Sequence, residues 1–376
     1  MNTAQQKLST IGSKRILSLD GGGMRGALTL GFLKRIEENL AKENGQAVLL
    51  GNYFDLIGGT STGAIIATAL AIGMTVDEIK MQYFAMGDKI FGEKFSIFEL
   101  RKRLKATYDA TNLESALAKF FGDRTFSDDS ILCGLCVVAK RADTNSTWPL
   151  MNFGKYYKYT KDYKLRDVVR ASAAAPSYFL PQQIQVTPQG QKGCFVDGGV
   201  SMSNNPTLEL FKMATIDSFG LNWETGADKM HITSIGTGSG VFKEMPQKIS
   251  KNNLLEWAKS LPDMFMQDAS WQVQTMMQWI ATCENPWLID REIGNLKNSF
   301  LGKEPLCRYK RLNVMLEQEK WFTLSDGTIY ETRNLTHYGY SHLSEKEIGE
   351  LQEMDNAKSV ELLFEIGYKA AKEQVG

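Results

Sequence analysis

Three short stretches hold the side chains best placed to do chemistry. Gly59-Thr60-Ser61-Thr62-Gly63 is a GxSxG run. Where such a run joins a strand to a helix, Gly59 and Gly63 permit a strained turn that presents the Ser61 hydroxyl as a nucleophile for acyl transfer. Asp20-Gly21-Gly22-Gly23-Met24-Arg25-Gly26 also stands between a strand-like and a helix-like run. Consecutive backbone N–H groups at such a helix start make an anion hole, suited to the oxyanion of acyl transfer. Read through Gly21, Gly23 and Gly26, the same run is a G-x-G-x-x-G, the mark of a dinucleotide site. That reading expects a ribose-binding carboxylate about 20 residues on. Asp55 comes 29 residues after Gly26, and Asp20 beside the turn would repel a pyrophosphate. The third stretch is CFVDGGVSMSNNP, with Asp197 at a strand end before two glycines. An ordinary Asp, with a pKa of about 3.9, is a weak base. Burial would raise that value and let Asp197 take the Ser61 proton directly.

Only three histidines, His231, His337 and His342, are available for an imidazole mechanism. His231 begins a strand-like run and so points away from that strand's C-terminal edge. His337 and His342 sit in a polar, turn-like NLTHYGYSHLS. A conventional Ser-His-Asp esterase of the α/β-hydrolase type is the alternative enzyme. A catalytically idle lipid- or nucleotide-binding module is the non-enzymatic one.

The elements that must position these residues follow from periodicity. RILSL (15–19) reads as a strand, 26–40 as a helix with Leu28, Phe32, Ile36 and Leu40 on one face, YFDLIGG as a second strand end, and 63–71 as a helix. This βαβα order implies parallel neighbours joined by right-handed crossovers. Asp20 and Ser61, 41 residues apart, then emerge side by side at the C-terminal edge of the sheet, where open α/β sheets place their active sites. Later strands are expected at 135–139, 194–196 and 231–236, a Met- and Trp-rich helical insertion at about 243–287, and a closing helix at about 356–372.

Taken together, DGGGMRG, GTSTG and DGG, in that order, resemble the patatin-like phospholipases. The similarity covers about 15–210 and includes ASAAAPSYFLP (171–181); SIGTGSG (234–240) and EMDNAKSVELLFEIG (353–367) extend it. The resemblance implies a three-layer α/β fold of the patatin type with a mostly parallel central sheet. It implies a lipid acyl hydrolase that cleaves glycerophospholipid esters through an acyl-Ser intermediate on a Ser-Asp dyad. Ser61 would be the nucleophile, Asp197 the general base, and the N–H groups of Gly21, Gly22 and Gly23 the oxyanion hole, with Arg25 fixing that loop. Neither a cofactor nor a metal is implied. Bacterial members of similar size include anti-phage effectors switched on by a cyclic nucleotide, which degrade the host's own membrane. The expected partners are therefore membrane phospholipids, a cyclic nucleotide activator and further copies of the chain in a homo-oligomer. The expected place of action is the cytoplasm at the inner face of the membrane.

Composition agrees with a globular enzyme and narrows its partners. With 43 Lys+Arg against 43 Asp+Glu, no overall field recruits a nucleic acid polymer or an anionic membrane. The basic, Phe-bearing stretch KIFGEKFSIFELRKRLK (89–105) is the place to seek a lipid or an anionic activator. Trp257, Leu261, Phe265, Trp271, Met276, Met277 and Trp279 lie at helical spacing, for a lid, an oligomer contact or core. MNTAQQKLSTIGSK lacks the features of a secretory signal, and the longest apolar stretch, 64–74, is shorter than the ~20 residues of a membrane span. Five widely spread Cys are expected as reduced thiols, with Cys133 and Cys136 on opposite faces of one strand. Residues 1–14 read as a lead-in segment, 15–210 as the catalytic core, and 211–376 as its C-terminal part carrying the insertion.

Overall fold

Alternation along the strands decides the layers of the molecule. Within β1 (Lys14–Leu19), Ile16 joins the apolar cluster on one side of the sheet while Leu17 and Leu19 join the other. The expected split of Cys133 and Cys136 follows the same rule: both are fully buried, one in each cluster. Each fully buried Leu or Ile contributes about 1.5–3 kcal/mol relative to exposure, and both faces of the sheet are covered in this way.

The computed structural model describes residues 3–91, 108–240, 249–250, 253–319 and 321–376, without the side chains of 254, 255, 258, 259, 262 and 263. The first half contains α1 (Thr3–Ser9), β1, α2 (Gly26–Asn44), β2 (Leu56–Thr60), α3 (Thr62–Ala71), α4 (Val76–Phe91), α5 (Ala110–Phe121), β3 (Gly134–Arg141) and β4 (Ser146–Met151). Next come α6 (Leu165–Ser172), β5 (Gln182–Gln185), β6 (Lys192–Asp197), α7 (Thr207–Thr215) and β7 (Met230–Ile235). The chain continues with α8 (Leu254–Ile280), β8 (Ala281–Thr282), β9 (Cys307–Leu312), the hairpin β10 (Trp321–Thr323) and β11 (Ile329–Glu331), α9 (Glu345–Gln352) and α10 (Val360–Gln374).

The main sheet runs β5-β6-β3-β2-β1-β7-β9-β8, with β4 on β3. Strands β3, β2, β1, β7, β9 and β8 are mutually parallel, and β4, β5 and β6 add the antiparallel pairings. This is the mostly parallel α/β sheet that the βαβα order implies. Helix α3 is buried along its whole length, as its unbroken small and apolar sequence requires. The insertion is helical over Leu254–Ile280; residues 243–248 lie outside the described residues, and 281–287 begin with the short strand β8 rather than continuing the helix. No helix among the described residues is long and apolar enough to cross a membrane.

Register places the site. β4 covers Cys136–Arg141 along one edge of β3, so the other edge is shared by two strands meeting end to end. On that edge β2 pairs in parallel as far as Thr60 opposite Val138, and β6 takes over in antiparallel sense with Asp197 opposite Ala139. The C-terminal ends of β2 and β6, which carry Ser61 and Asp197, are thereby brought together.

Candidate active site

Ser61 follows β2 directly, with φ 54° and ψ −121°. A non-glycine residue in such a conformation costs about 1–3 kcal/mol and needs surrounding structure to hold it. The flanking glycines permit the approach: a side chain on Gly59 would strike the Gly63 backbone, and one on Gly63 would strike the carbonyls of Leu19 and Asp20. Hydroxyl groups do the holding. Ser172 Oγ accepts the Ser61 N–H at 2.8 Å and donates to the Val138 carbonyl at 2.6 Å. Thr60 Oγ1 donates to the Ser203 carbonyl at 2.6 Å, tying the elbow to the Asp197 loop. Tyr83 donates to the Gly23 carbonyl at 2.6 Å and so accepts from Thr62 Oγ1 at 2.5 Å, tying it to the glycine loop.

Asp197 closes the other side. Asp197 is 5% exposed, takes the Gly199 N–H on Oδ1 at 2.7 Å, and has the Ser61 hydroxyl near enough to favour its charged form. Burial pushes its pKa up to about 6, against the pull of the Ser61 hydroxyl and the Gly199 N–H. No cation among the described residues offsets the burial, so the carboxylate is a base poised just below neutrality.

The glycine loop is held from several directions. Asp20 does not face an anion: Arg311 on β9 clamps it with Nη1–Oδ1 at 2.9 Å and Nη2–Oδ2 at 2.5 Å, both residues being buried. Burial pushes the Asp20 carboxyl up while the guanidinium opposes it. The Gly21 N–H is already spent on the Asn204 carbonyl at 3.0 Å, and Met24 N–H on the Met354 carbonyl at 2.7 Å. Gly22 and Gly23 N–H donate to no acceptor among the described residues, and both residues line the same cavity as Ser61. Arg25 Nε donates to the Gly22 carbonyl at 3.4 Å, across the peptide that carries the Gly23 N–H.

Ser61, Asp197, Gly22 and Gly23 open onto a cavity of about 1100 Å³. Its walls are mostly apolar, with Ile65, Met86, Ile90, Phe91, Leu113 and Phe179 among them. Val200, Met202, Leu261 and Phe265 also line it and are exposed. Of the basic stretch, Lys89 and Phe91 end α4, while Phe95, Phe98, Arg101, Lys102, Arg103 and Lys105 lie outside the described residues.

None of the three histidines lines this cavity. His231 pairs with Arg15 and Arg308 at the N-terminal ends of β1 and β9, away from Ser61. His337 is held between Glu331 at 3.2 Å and Glu373 at 2.7 Å. Asp55 precedes β2 and accepts the Arg15 N–H at 2.7 Å, at the sheet edge opposite the glycine loop. Asp55 therefore does not supply the ribose-binding carboxylate that a dinucleotide reading of the glycine loop expects. Among the described residues no cluster of His, Cys, Asp or Glu is arranged to hold a metal. Ser172, Tyr83 and Arg311 carry no motif; only the small-residue run around Ser172 drew notice in the sequence.

Comparison with known proteins agrees with this geometry. A cGAMP-activated phospholipase of Escherichia coli (strain TW11681) is 32% identical over 246 residues, 63% of this chain and 65% of that protein. A cUMP-AMP-activated phospholipase of Escherichia coli is 32% identical over 237 residues, 61% of this chain and 66% of that protein. Patatin-like protein 1 of Arabidopsis thaliana is 29% identical over 271 residues, 64% of this chain and 63% of that protein. The chain thus spans just under two thirds of the length of each of these relatives. Residues 17–211, which include the elbow, the glycine loop and Asp197, match the family described as patatin-like phospholipase. With more than half its length matched and the mostly parallel three-layer sheet in place, the chain belongs to the patatin-like phospholipase family.

Proposed function

We propose that this protein is a lipid acyl hydrolase that cleaves glycerophospholipid esters through an acyl-Ser61 intermediate. One observation carries the reading. The Ser61 hydroxyl lies beside the buried Asp197 carboxylate, and no histidine lines the cavity they share, which is roomy and apolar enough for an acyl chain.

Ser61 Oγ attacks the ester carbonyl carbon as its proton passes to Asp197. The carbonyl oxygen becomes an oxyanion, and the N–H groups of Gly22 and Gly23 receive it. Collapse expels the lysolipid alkoxide, which takes the proton from Asp197 and leaves the acyl-Ser61 ester. Water then attacks that ester, giving a proton to Asp197. The fatty acid departs, and Asp197 returns the proton to Ser61. One water is consumed and the dyad is restored. The Gly21 N–H, already bonded to Asn204, stands outside the oxyanion hole.

The names of the bacterial relatives, a cGAMP-activated and a cUMP-AMP-activated phospholipase, support one further part of the reading: a cyclic nucleotide activates hydrolysis. The reading also takes the cell's own membrane, met from the cytoplasmic side in anti-phage defence, as the substrate. Exposed Val200, Met202, Leu261 and Phe265 at the cavity suit contact with lipid. Incubation with phosphatidylethanolamine and phosphatidylglycerol liposomes, with and without cGAMP or cUMP-AMP, tests both parts. The expected result is fatty-acid release that a nucleotide raises and that Ser61→Ala abolishes. Equal release by Ser61→Ala overturns the hydrolase reading; release unchanged by either nucleotide overturns activation.

A further inference from the structure

A second cavity, of about 440 Å³, lies behind the glycine loop. Its chemistry is unlike the first. Amide and hydroxyl side chains dominate its walls, Gln267, Gln274, Asn313, Gln352, Ser239 and Ser270 among them, with the indoles of Trp271 and Trp287. Arg333 already covers Trp287 at 5.0 Å, which leaves Trp271 as the indole for a planar ligand.

Two buried donors on these walls have no acceptor among the described residues. Gln274 is 5% exposed and Arg311 6%, yet Gln274 Nε2 and Arg311 Nε find no hydrogen-bond partner among the described residues. A buried polar group left unpaired costs stability unless something supplies the missing acceptor. Charge does not favour a bare phosphate: Asp20 cancels Arg311, and Arg25 shares the walls with Glu353 and Asp355. Amides beside the half-buried Trp271 indole, in a cavity within the about 300–1,000 Å³ range of small-molecule sites, are instead suited to the edge and face of a nucleobase.

The two cavities share structure. Asn204, Met266, Met354 and Tyr178 line both, and Gly21 and Arg25 of the glycine loop line the polar one while Gly22 and Gly23 line the catalytic one. Arg25 Nε bonds the Gly22 carbonyl, so whatever contacts the Arg25 guanidinium acts on the peptide that aims the Gly23 N–H.

We propose that this polar cavity is an effector site that takes the nucleobase of a nucleotide and sets the oxyanion donors through Arg25 and the glycine loop. The proposal rests on the nucleotide-activation reading above and gives it a location. Binding of cGAMP, cUMP-AMP and inorganic pyrophosphate is followed by calorimetry and by Trp fluorescence. Turnover of a soluble short-chain p-nitrophenyl ester reports on Ser61 separately. The wild type is expected to bind a cyclic dinucleotide with Trp quenching and to ignore pyrophosphate. Gln274→Leu, similar in volume, and Trp271→Ala should each weaken binding roughly tenfold, the scale of one lost buried hydrogen bond or stacking contact. Basal ester turnover should stay within about twofold, since neither residue lines the catalytic cavity. Undiminished binding in both folded variants overturns the site, and so does pyrophosphate binding as tight as that of the dinucleotides. A wild type that turns over ester but binds no nucleotide overturns the effector site and leaves the hydrolase standing. Dinucleotide binding that these variants weaken, in a protein that turns over no ester, supports the site while overturning the hydrolase.

Discussion

Asp20 and Asp197 are two buried carboxylates at strand ends, and the chain treats them in opposite ways. Asp20, at the end of β1, is gripped by both Nη atoms of Arg311, which also donates to Ser234 at 2.7 Å. Asp197, at the end of β6, is paired with no cation among the described residues; it takes the Gly199 N–H with the Ser61 hydroxyl beside it, and its pKa rises to about 6. A carboxylate locked in a bidentate ion pair is fixed in one charge state and serves as an anchor. A buried carboxylate without a counter-charge is unstable as an anion and ready to accept a proton. The difference separates a residue that shapes the glycine loop from one that does proton transfer beside it.

Removing the base gives the largest expected effect. Asp197→Asn should lower kcat/KM for a soluble ester by about 10⁴, the scale on which other serine hydrolases lose rate when the residue orienting the base is neutralised. A loss below tenfold would place the base elsewhere. Asp20→Asn should instead act on folding. It leaves the Arg311 charge buried and unpaired, a loss of about 3–5 kcal/mol, read as a lower urea midpoint. Asp20→Leu combined with Arg311→Met should recover much of it, because the buried charge is then gone from both sides.

The same comparison predicts stability of opposite sign at Asp197. Burial raises its folded pKa to about 6 from 3.8. The folded chain therefore holds a proton that the unfolded chain releases between those values. Stability from this group is full below about pH 4 and lost as pH rises to about 6, a penalty of about 3 kcal/mol at pH 8. Asp197→Asn should remove the penalty, so the variant should be more stable than wild type at pH 8 and equal to it near pH 4. A destabilised Asp197→Asn at pH 8 would mean that the carboxylate is compensated as Asp20 is.

Ser172→Ala should give the smallest effect. One lost hydrogen bond to the strained Ser61 peptide, about 1–1.5 kcal/mol, should lower kcat roughly tenfold with KM unchanged. Ser172→Thr, which keeps the hydroxyl, should restore part of the rate; a loss equal to that of Ser172→Ala would show that packing rather than the hydrogen bond matters there.

What the sequence made legible and what it hid divide along the same line. Ser61 and Asp197 were readable because each ends an apolar strand-like run in a glycine turn, so local pattern alone puts them on one sheet edge. Arg311 was not readable, because its tie to Asp20 spans 291 residues and nothing near it marks a site. Ser172 and Tyr83 are ordinary residue types on helices, made special only by where α6 and α4 pack. Gly21 carried a motif but not the role given it, since a motif cannot say that the Asn204 carbonyl already takes its N–H. The insertion was legible as helix from its Met and Trp spacing. That Leu261 and Phe265 face one cavity and Trp271 the other depends on how α8 packs against α7, β8 and β9.

The dyad is tested most directly by the pH dependence of Ser61 labelling with a fluorophosphonate, read by peptide mass mapping. Wild type and the variant His231→Gln/His337→Gln/His342→Gln would be compared. A Ser61–Asp197 dyad predicts one adduct, on Ser61, forming at a rate that rises through pH about 6 and is the same in both proteins. An adduct on another residue, or a rate that collapses when the histidines are gone, would contradict it.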